Sequence, residues 1–441
     1  MNAITQGNIL KALLRFFFPI LLGTFFQQLY NTVDAVIVGR FVGKEALAAV
    51  GGSSAVFVQL IVGFFMGITN GGGVIISQCF GAKDSSSLEK TVQTSLLMSL
   101  AGGLVMTSIG ISLARPILSI TRCPEAVLDS SARYLMIFFS GLVPMFIYNM
   151  CSGILRGIGD SKTPLLILII GCFSNIILDL AFVILLDMGI AGVASATVLC
   201  QVESAIISIN VVQKRKDVFN LNLLKMSMDR KILGRIMRLG IPSGLQGSLY
   251  VISNLIIQTN INFFGTDSIA GWAIYGKIDV IFWMTTATFG IALTTFSGQN
   301  FGAGQYDRIK KATWITLGLS LASTSVIVFA FMNWSQGIYR LFTNDQEVLE
   351  KGIEMVRYLA PFYFVYISIE ILSGTVRGAG KSLAPTLITV FGVCALRLLW
   401  LFIAVPANQT MRMVLFSYPL TWTVTSLAFW VYFLSNRWLK K

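Results

Sequence analysis

The sequence predicts an all-α membrane protein of twelve transmembrane helices, and three observations indicate this fold class. Of the 441 residues, 55% are hydrophobic and 12% are charged, whereas about a quarter of the residues in soluble domains are charged. Long apolar stretches recur along the whole chain. The alternation over about ten residues that marks membrane β-barrel strands is absent. Helices that cross a bilayer therefore account for the pattern.

Twelve apolar stretches reach the length of about 20 residues that a helix needs to cross the hydrocarbon core. Some are longer, which indicates tilted helices or helices that extend beyond the bilayer. No cleavage site follows the first stretch, so we expect it to be a retained span. The predicted spans are residues 13–38, 46–79, 91–113, 134–155, 165–186, 190–212, 232–264, 269–300, 312–334, 355–375, 383–405 and 413–435.

The residue inventory limits the chemistry that the chain can perform. Histidine is absent, and the six cysteines show no C-x-x-C spacing, so the commonest metal ligand and the usual acid/base group at neutral pH are missing. We expect packing roles for the cysteines, no cofactor and no metal centre. Any proton chemistry must use carboxylates.

Basic residues are concentrated on one side of the predicted spans, which the positive-inside rule places in the cytoplasm. That side includes the central segment 213–235 and Lys11, Arg15, Lys83, Lys90, Arg156, Lys162, Arg308, Lys310, Lys311, Arg377, Lys381, Arg437, Lys440 and Lys441. The opposite loops carry chiefly Arg40, Lys44, Arg115, Arg122, Arg133, Arg340, Lys351, Arg357 and Arg412. Both termini are thus predicted to be cytoplasmic. Topology explains the net charge of +13, so we expect the lipid bilayer, and no nucleic acid, as a partner.

The chain contains an internal duplication. "GILRGIGDSKTP" (153–164) matches "GTVRGAGKSLAP" (374–385), and "SQCFGA" (77–82) matches "GQNFGA" (298–303), both at an offset of 221 residues. Six spans per half make the halves parallel repeats, related by an axis along the membrane normal. We therefore predict an amino-terminal lobe at 1–212, a cytoplasmic linker at 213–235 and a carboxyl-terminal lobe at 236–441.

Two acids inside predicted spans are the strongest candidates for function, because a charge at the bilayer centre costs roughly 2.5 to 3.5 kcal/mol on insertion scales. Asp34 follows Tyr30 by one helical turn, and Asp179 follows Asn175 in the same way. Two carboxylates facing one cavity can share a proton, and the same oxygens can hold sodium. An alternative for Asp34 is an ordinary acid at the membrane interface.

The second repeat has no counterpart of these acids. Ile256 or Ile257 occupies the position of Asp34, and Asp179 falls near Trp400. A packing role is more plausibly kept in both copies, so occurrence in one copy favours function.

Four further charged residues fall inside apolar stretches and are candidates for a substrate cavity: Glu203, Asp279, Glu370 and Arg397. Two interpretations are open. Arg397 pairs with Glu370 or Asp279 in a structural ion pair, since buried charges rarely stay unpaired, or these acids attract a cationic substrate.

The chain resembles the multidrug and toxic compound extrusion (MATE) transporters, in particular the DNA-damage-inducible bacterial branch. The resemblance rests on "QQLYNTVDAVIVGRFVG", on "GQNFGAG", on the doubled "LRGIGDSKTP" and "VRGAGKSLAP" turns, and on two sets of six spans around a basic linker. It implies a V-shaped pair of six-helix lobes rather than an enzyme. It also implies export of amphipathic, often cationic compounds, driven by inward flow of protons or sodium. We expect a monomer in the plasma membrane of a bacterium.

The resemblance also implies a site for the coupling cation in the amino-terminal lobe. Its positions carry Tyr30, Asp34, Asn149, Asn175, Asp179 and Thr197 in this sequence. In the sodium-driven branch a second site uses two acids in the other lobe, and here those places hold Tyr250 and Tyr366.

Competing functions are less consistent with the residues. The loop "GAKDSSSLEK" lacks the signature of a major-facilitator exporter. The sequence also shows neither the polar catalytic cluster that a membrane transferase needs nor the selectivity filter of a channel. A lipid-linked oligosaccharide flippase of the same superfamily is the second hypothesis, for which a more basic cavity is expected.

The predicted orientation can be tested with single cysteines placed in otherwise unchanged loops. A membrane-impermeant thiol reagent added to intact cells should label Thr266→Cys and miss Lys216→Cys, because only the loop at Thr266 is predicted to be outside. Labelling after permeabilisation controls for reactivity. The reverse pattern would contradict the cytoplasmic assignment of the linker.

Overall fold

A computed structural model describes residues 4–120 and 123–439, and within these residues the chain is helical without strands. Arg122, Lys440 and Lys441 of the topology argument lie outside them. The helices of the first half are α1 Ile9–Ile37, α2 Lys44–Gly51, α3 Ser53–Gly81, α4 Ser85–Ile120, α5 Glu125–Ser140, α6 Leu142–Gly157, α7 Lys162–Leu180 and α8 Gly189–Lys214. Those of the second half are α9 Arg230–Asn262, α10 Thr266–Gly302, α11 Tyr306–Arg340, α12 Gln346–Leu359, α13 Tyr363–Gly378, α14 Leu383–Thr389, α15 Leu396–Ala407 and α16 Met411–Leu434.

The predicted fold class is confirmed. Among the described residues, 10 helical segments are long and apolar enough to cross a membrane, or 11 when the bent pair α5 and α6 counts as one span. The remaining predicted span corresponds to α9, which is 33 residues long and begins with basic residues. Its apolar part also contains polar residues, among them Gln246, Asn254, Gln258 and Asn260, which lower the apolar character of α9 further.

One predicted span differs in detail. Residues 134–155 were expected to form a continuous helix, whereas α5 and α6 meet at an angle of 47°. Gly141 lies at the bend with φ −85° and ψ 0°. A Cβ on Gly141 would lie 2.8 Å from Val198, so the bend brings the backbone directly against α8. Ser-Gly pairs are a common cause of such kinks.

The chain forms two compact units. The first contains residues 18–244, and the second contains residues 4–17 and 245–439. The first halves of α1 and α9 therefore pack with the repeat to which they do not belong in sequence. The lobes predicted at 1–212 and 236–441 were defined by the sequence duplication, not by helix contacts. Their bounds therefore stay a prediction about where each repeat begins and ends.

The first unit is centred on an apolar cluster that α3, α4, α6 and the start of α9 build together. Phe65 and Phe146 stack at 3.4 Å between ring centroids. Ile236, from the first turns of α9, is completely buried in the same cluster. The connection from α8 to α9 also packs here, because Phe219 and Leu221 are buried.

Polar contacts hold the start of α9 on the first unit. The backbone N–H of Asp229 donates to Thr94 Oγ1 at 3.1 Å, and that of Ser227 donates to Gln93 Oε1 at 3.2 Å. Asp229 in turn accepts from the backbone N–H groups of Ile232 and Lys231. These hydrogen bonds to the carboxylate lower the pKa of Asp229, as expected for an acid that caps a helix.

The second unit holds the amino-terminal segment in a comparable way. Arg308 donates to the carbonyl oxygens of Gly7 at 3.0 Å and Ile4 at 3.1 Å, and Asn300 Nδ2 donates to Ile4 at 3.3 Å. Phe17 stacks on Phe289 with 4.0 Å between ring centroids. Each unit therefore has dedicated partners for the segment that it receives.

The duplication is repeated at the level of individual helix contacts. Each half brings a glycine of one helix directly against a side chain of a neighbouring helix, and the partners in the two halves are again 221 residues apart. The equivalent contacts are Gly157 with Ile76 and Gly171 with Ser204 in the first half, and Gly378 with Ser297 and Gly392 with Thr425 in the second. The doubled Arg-Gly turn is thus part of a conserved geometry within one chain, in which Gly157 and Gly378 allow close helix approach.

The closest helix approach in the first unit joins α3 to the start of α9 through glycines spaced four residues apart on both helices. An added Cβ on Gly67 would overlap the backbone of Gly244, and one on Gly71 would lie 2.8 Å from the backbone N of Gly240. Small residues at this spacing let helix backbones meet inside a membrane. No side chain larger than hydrogen fits at Gly67 without separating the helices.

Gly67→Ala should therefore destabilise the protein, although alanine is the better helix former. Overpacking costs about 1 to 3 kcal/mol, which outweighs the gain of up to about 1 kcal/mol in helix propensity. Gly63→Ala is the matched control, because an added Cβ on Gly63 meets nothing within 4 Å. In detergent, thermal unfolding should show a lower Tm for Gly67→Ala and an unchanged or higher Tm for Gly63→Ala. Equal behaviour of the two variants would contradict the close contact.

Candidate functional site

The two candidate acids lie close together in the first unit. Asp34 is on α1 and Asp179 is on α7, and their carboxyl groups are near enough to interact directly. Each helix continues into a short π-helical segment, Val38–Val42 after α1 and Ala181–Leu185 after α7. Such segments are frequent at functional sites. The structure thus brings together the acids that the sequence places 145 positions apart.

The acid pair lies in a buried environment that supplies few hydrogen-bond donors. The side chain of Asp179 is 0% exposed. Both of its carboxyl oxygens, and Oδ1 of Asp34, have no hydrogen-bond donor among the described residues. An ionised carboxylate only accepts hydrogen bonds, so two of them cannot satisfy each other. A proton shared between them, or a cation between them, removes the repulsion.

A phenol and a hydroxyl extend this site toward α8. The Tyr30 hydroxyl donates to Thr197 Oγ1 at 3.2 Å, and Thr197 donates to the carbonyl oxygen of Val193 at 3.1 Å. Tyr30 also lies close enough to Asp34 to interact with it. Tyr30, Thr197 and the acid pair therefore form one connected polar group.

The two predicted asparagines occupy different places around the site. Asn175 precedes Asp179 by one turn of α7, is 0% exposed, and has no hydrogen-bond partner for either amide atom. Asn149 donates to the carbonyl oxygen of Met145 at 2.9 Å. Asn149 and Tyr30 line a cavity of about 120 Å³ between the helices of this unit.

Sequence reasoning missed Tyr134 on α5. Its phenol is near enough to both Asp34 and Asp179 to interact with them electrostatically. Tyr134 is a polar aromatic residue in an apolar stretch, and nothing in the sequence connects it with the two acids. Only the folded arrangement shows that α5 places it beside the acids.

The oxygen atoms at this site are suited to hold either of the coupling ions expected from the sequence, a proton or sodium. The unpartnered atoms of Asp34, Asp179 and Asn175 include carboxylate and amide oxygens, which hard cations prefer. A group of three or more His, Cys, Asp or Glu residues that could hold a metal is absent from the described residues. Oxygen ligands for sodium would thus include the amide of Asn175, whereas a shared proton needs the acids alone.

The second unit fills the equivalent region with apolar side chains. Ile257, at the position of Asp34, packs with Leu401 and Val405, and Trp400 borders the same cluster. Hydrophobic packing satisfies these positions without any ion. The repeats therefore share helix geometry and differ in chemistry at this point.

The four candidates for a substrate cavity do not line one cavity. Glu203 is in the first unit and Glu370 packs against Gly290 in the second, and neither is among the residues lining the cavities described here. Asp279 and Arg397 do line a cavity of about 500 Å³ in the second unit. Among the described residues, no ion pair of Arg397 with Asp279 or Glu370 is present.

Aromatic residues dominate the walls of this larger cavity. Trp272, Tyr275, Tyr418 and Trp422 line it and were not singled out from the sequence. These four residues come from α10 and α16, which are far apart in sequence. Helix packing alone brings them to one space.

Comparison with known proteins identifies the family. The family model described as MatE matches residues 19–181 and 242–403, one match in each repeat. "Probable multidrug resistance protein YoeA" of Bacillus subtilis is 29% identical over 396 residues, covering 88% of this chain and 85% of that protein. "Probable multidrug resistance protein NorM" of Thermotoga maritima is 26% identical over 412 residues, covering 91% and 87%.

A solved structure gives the same result for the fold. A multidrug resistance MATE family transporter of the MOP superfamily, in its outward-facing conformation, superposes with a TM-score of 0.91 at 23% identity, covering 99% of this chain and 98% of that one. Because both repeats match the family model and the matches together cover most of the chain, the chain belongs to the MatE family of membrane transporters and is not an enzyme.

Proposed function

We propose that the protein is a secondary active exporter of amphipathic, chiefly cationic compounds, coupled to inward movement of protons or sodium. Relatives that carry multidrug resistance or multidrug export in their names support the export of drugs. Parallel six-helix repeats support alternating access, in which one half moves against the other. The exporter acts as a monomer in the bacterial plasma membrane with both termini in the cytoplasm, and it uses neither cofactor nor nucleic acid.

The observation that supports coupling is the buried acid pair of the first unit. With one proton or one sodium ion bound, Asp34 and Asp179 together carry one negative charge instead of two. The free-energy cost of burying the pair is then lower. Without the ion, two carboxylates repel each other at short range. Ion binding and release therefore change the stability of the arrangement that α1, α7 and α8 form at this site, and this change is the proposed coupling step.

Asp34→Asn and Asp179→Asn should each abolish gradient-driven export while leaving the protein folded. An amide keeps the size of the side chain but cannot bind a proton or carry the charge that holds sodium. The matched control is Asp187→Asn, an exposed acid in the turn between α7 and α8 that asparagine can replace. Drug resistance of cells, at equal amounts of membrane protein, measures the effect. Wild-type resistance in both site variants would contradict the assignment.

The coupling ion can be determined in proteoliposomes under separately imposed pH and sodium gradients. Export of a fluorescent organic cation should follow at least one gradient and should be lost in the Asp34→Asn variant. Sodium that stabilises the wild-type protein against unfolding, but not this variant, would indicate bound sodium. Export that needs neither gradient would contradict the coupled mechanism.

A further inference from the structure

The larger cavity, in the second unit, has the size and walls of a site for an aromatic molecule. Its volume is about 500 Å³, within the range of small-molecule sites. Seven aromatic side chains line it: Tyr250, Trp272, Tyr275, Trp283, Tyr366, Tyr418 and Trp422. Flat rings in such surroundings gain stacking and edge-to-face contacts.

Arg397 is a buried positive charge in this cavity without an acidic partner. Its side chain is 2% exposed. The guanidinium lies 4.3 Å from the centroid of the Tyr418 ring, and Nη2 donates to Thr421 Oγ1 at 3.4 Å. Nε has no hydrogen-bond partner among the described residues. Arginine stays protonated in proteins, so Nε offers a charged hydrogen-bond donor to a ligand.

The acid in the same cavity is already engaged by neutral donors. Asp279 accepts hydrogen bonds from the Tyr363 hydroxyl and from Trp283 Nε1. The Tyr275 and Tyr363 hydroxyls lie 2.9 Å apart, which extends the network. Both carboxyl oxygens of Asp279 are thus engaged by α10 and α13, and the described residues contain no ion pair between Asp279 and Arg397. The guanidinium of Arg397 is the group that keeps an unused hydrogen bond for a ligand.

We propose that this cavity binds amphipathic aromatic compounds that carry an acidic group, with the acid on Arg397 and the rings among the aromatic side chains. A carboxylate can accept two parallel hydrogen bonds from the guanidinium fork, which neutralises the charge and occupies Nε. The acid specificity belongs to the second repeat alone, whereas the coupling acids belong to the first. The claim that such compounds are exported rests on the proposed function, but their binding does not.

The preference for an acid can be measured on the purified full chain in detergent. The probes are a rhodamine with a free carboxylate and its methyl ester, which differ by that charge and one methyl group, and fluorescence polarisation reports binding. The wild-type protein should bind the acid at least about tenfold more tightly, as expected for charge-assisted hydrogen bonds. Equal affinity for acid and ester would overturn the proposal without any variant.

Two substitutions assign the preference to Arg397. Arg397→Gln should lose the preference for the acid while keeping the affinity for the ester, and binding of the ester also shows that the variant is folded. Arg397→Lys should keep part of the preference, because lysine retains the charge but lacks the two parallel N–H donors of the guanidinium. Arg412→Gln is the matched control, since Arg412 pairs with Glu354 in an exposed position. A preference that survives in Arg397→Gln, or one that is lost in Arg412→Gln, would contradict the site.

Failure of this site can be distinguished from failure of the proposed function. Asp34→Asn should leave the binding preference intact, because Asp34 belongs to the first unit. Export of the ester under a gradient, without a preference for the acid in binding, would overturn the acid site alone. A retained preference, without gradient-driven export of either dye, would contradict coupled export alone.

Discussion

The structure depends on the lack of hydrogen-bond partners in the hydrocarbon core of a membrane. Backbone groups there must be satisfied within the chain, so the described residues are helical and strands are absent from them. The same constraint makes every buried charge expensive unless another group compensates for it. Asp34 with Asp179, and Arg397 in the other unit, are ionisable side chains that keep buried polar atoms without hydrogen-bond partners among the described residues.

The duplicated halves respond to this constraint with the same backbone and different chemistry. Equivalent glycine contacts, such as Gly157 in one repeat and Gly378 in the other, show that the helices approach each other in the same way. The first repeat places an acid pair where the second has the apolar cluster around Ile257. Duplication therefore supplied a common scaffold, and divergence placed the buried acid pair in one unit and the aromatic cavity with Arg397 in the other.

Much of the first site could be predicted because its signals are local. Asp34 and Asp179 each interrupt an apolar stretch, and Tyr30 and Asn175 lie one turn away on the same helix faces. Thr197 and Asn149 came from family resemblance alone. Tyr134 was missed because its role depends on how α5 packs against two other helices, and a single tyrosine in an apolar stretch carries no sign of that.

The sequence by itself determined the helical class, the duplication and the positions of the buried charges, because hydropathy and repeat spacing are properties of consecutive residues. Which of these buried charged groups contact each other was decided only by the tertiary structure. One of the two open interpretations paired Arg397 with Glu370 or Asp279, yet Arg397 lies over Tyr418 while Asp279 is held by Tyr363 and Trp283. Which of several buried groups meet depends on helix rotation and on bends such as the one at Gly141, and these follow from packing between helices rather than from spacing along the chain.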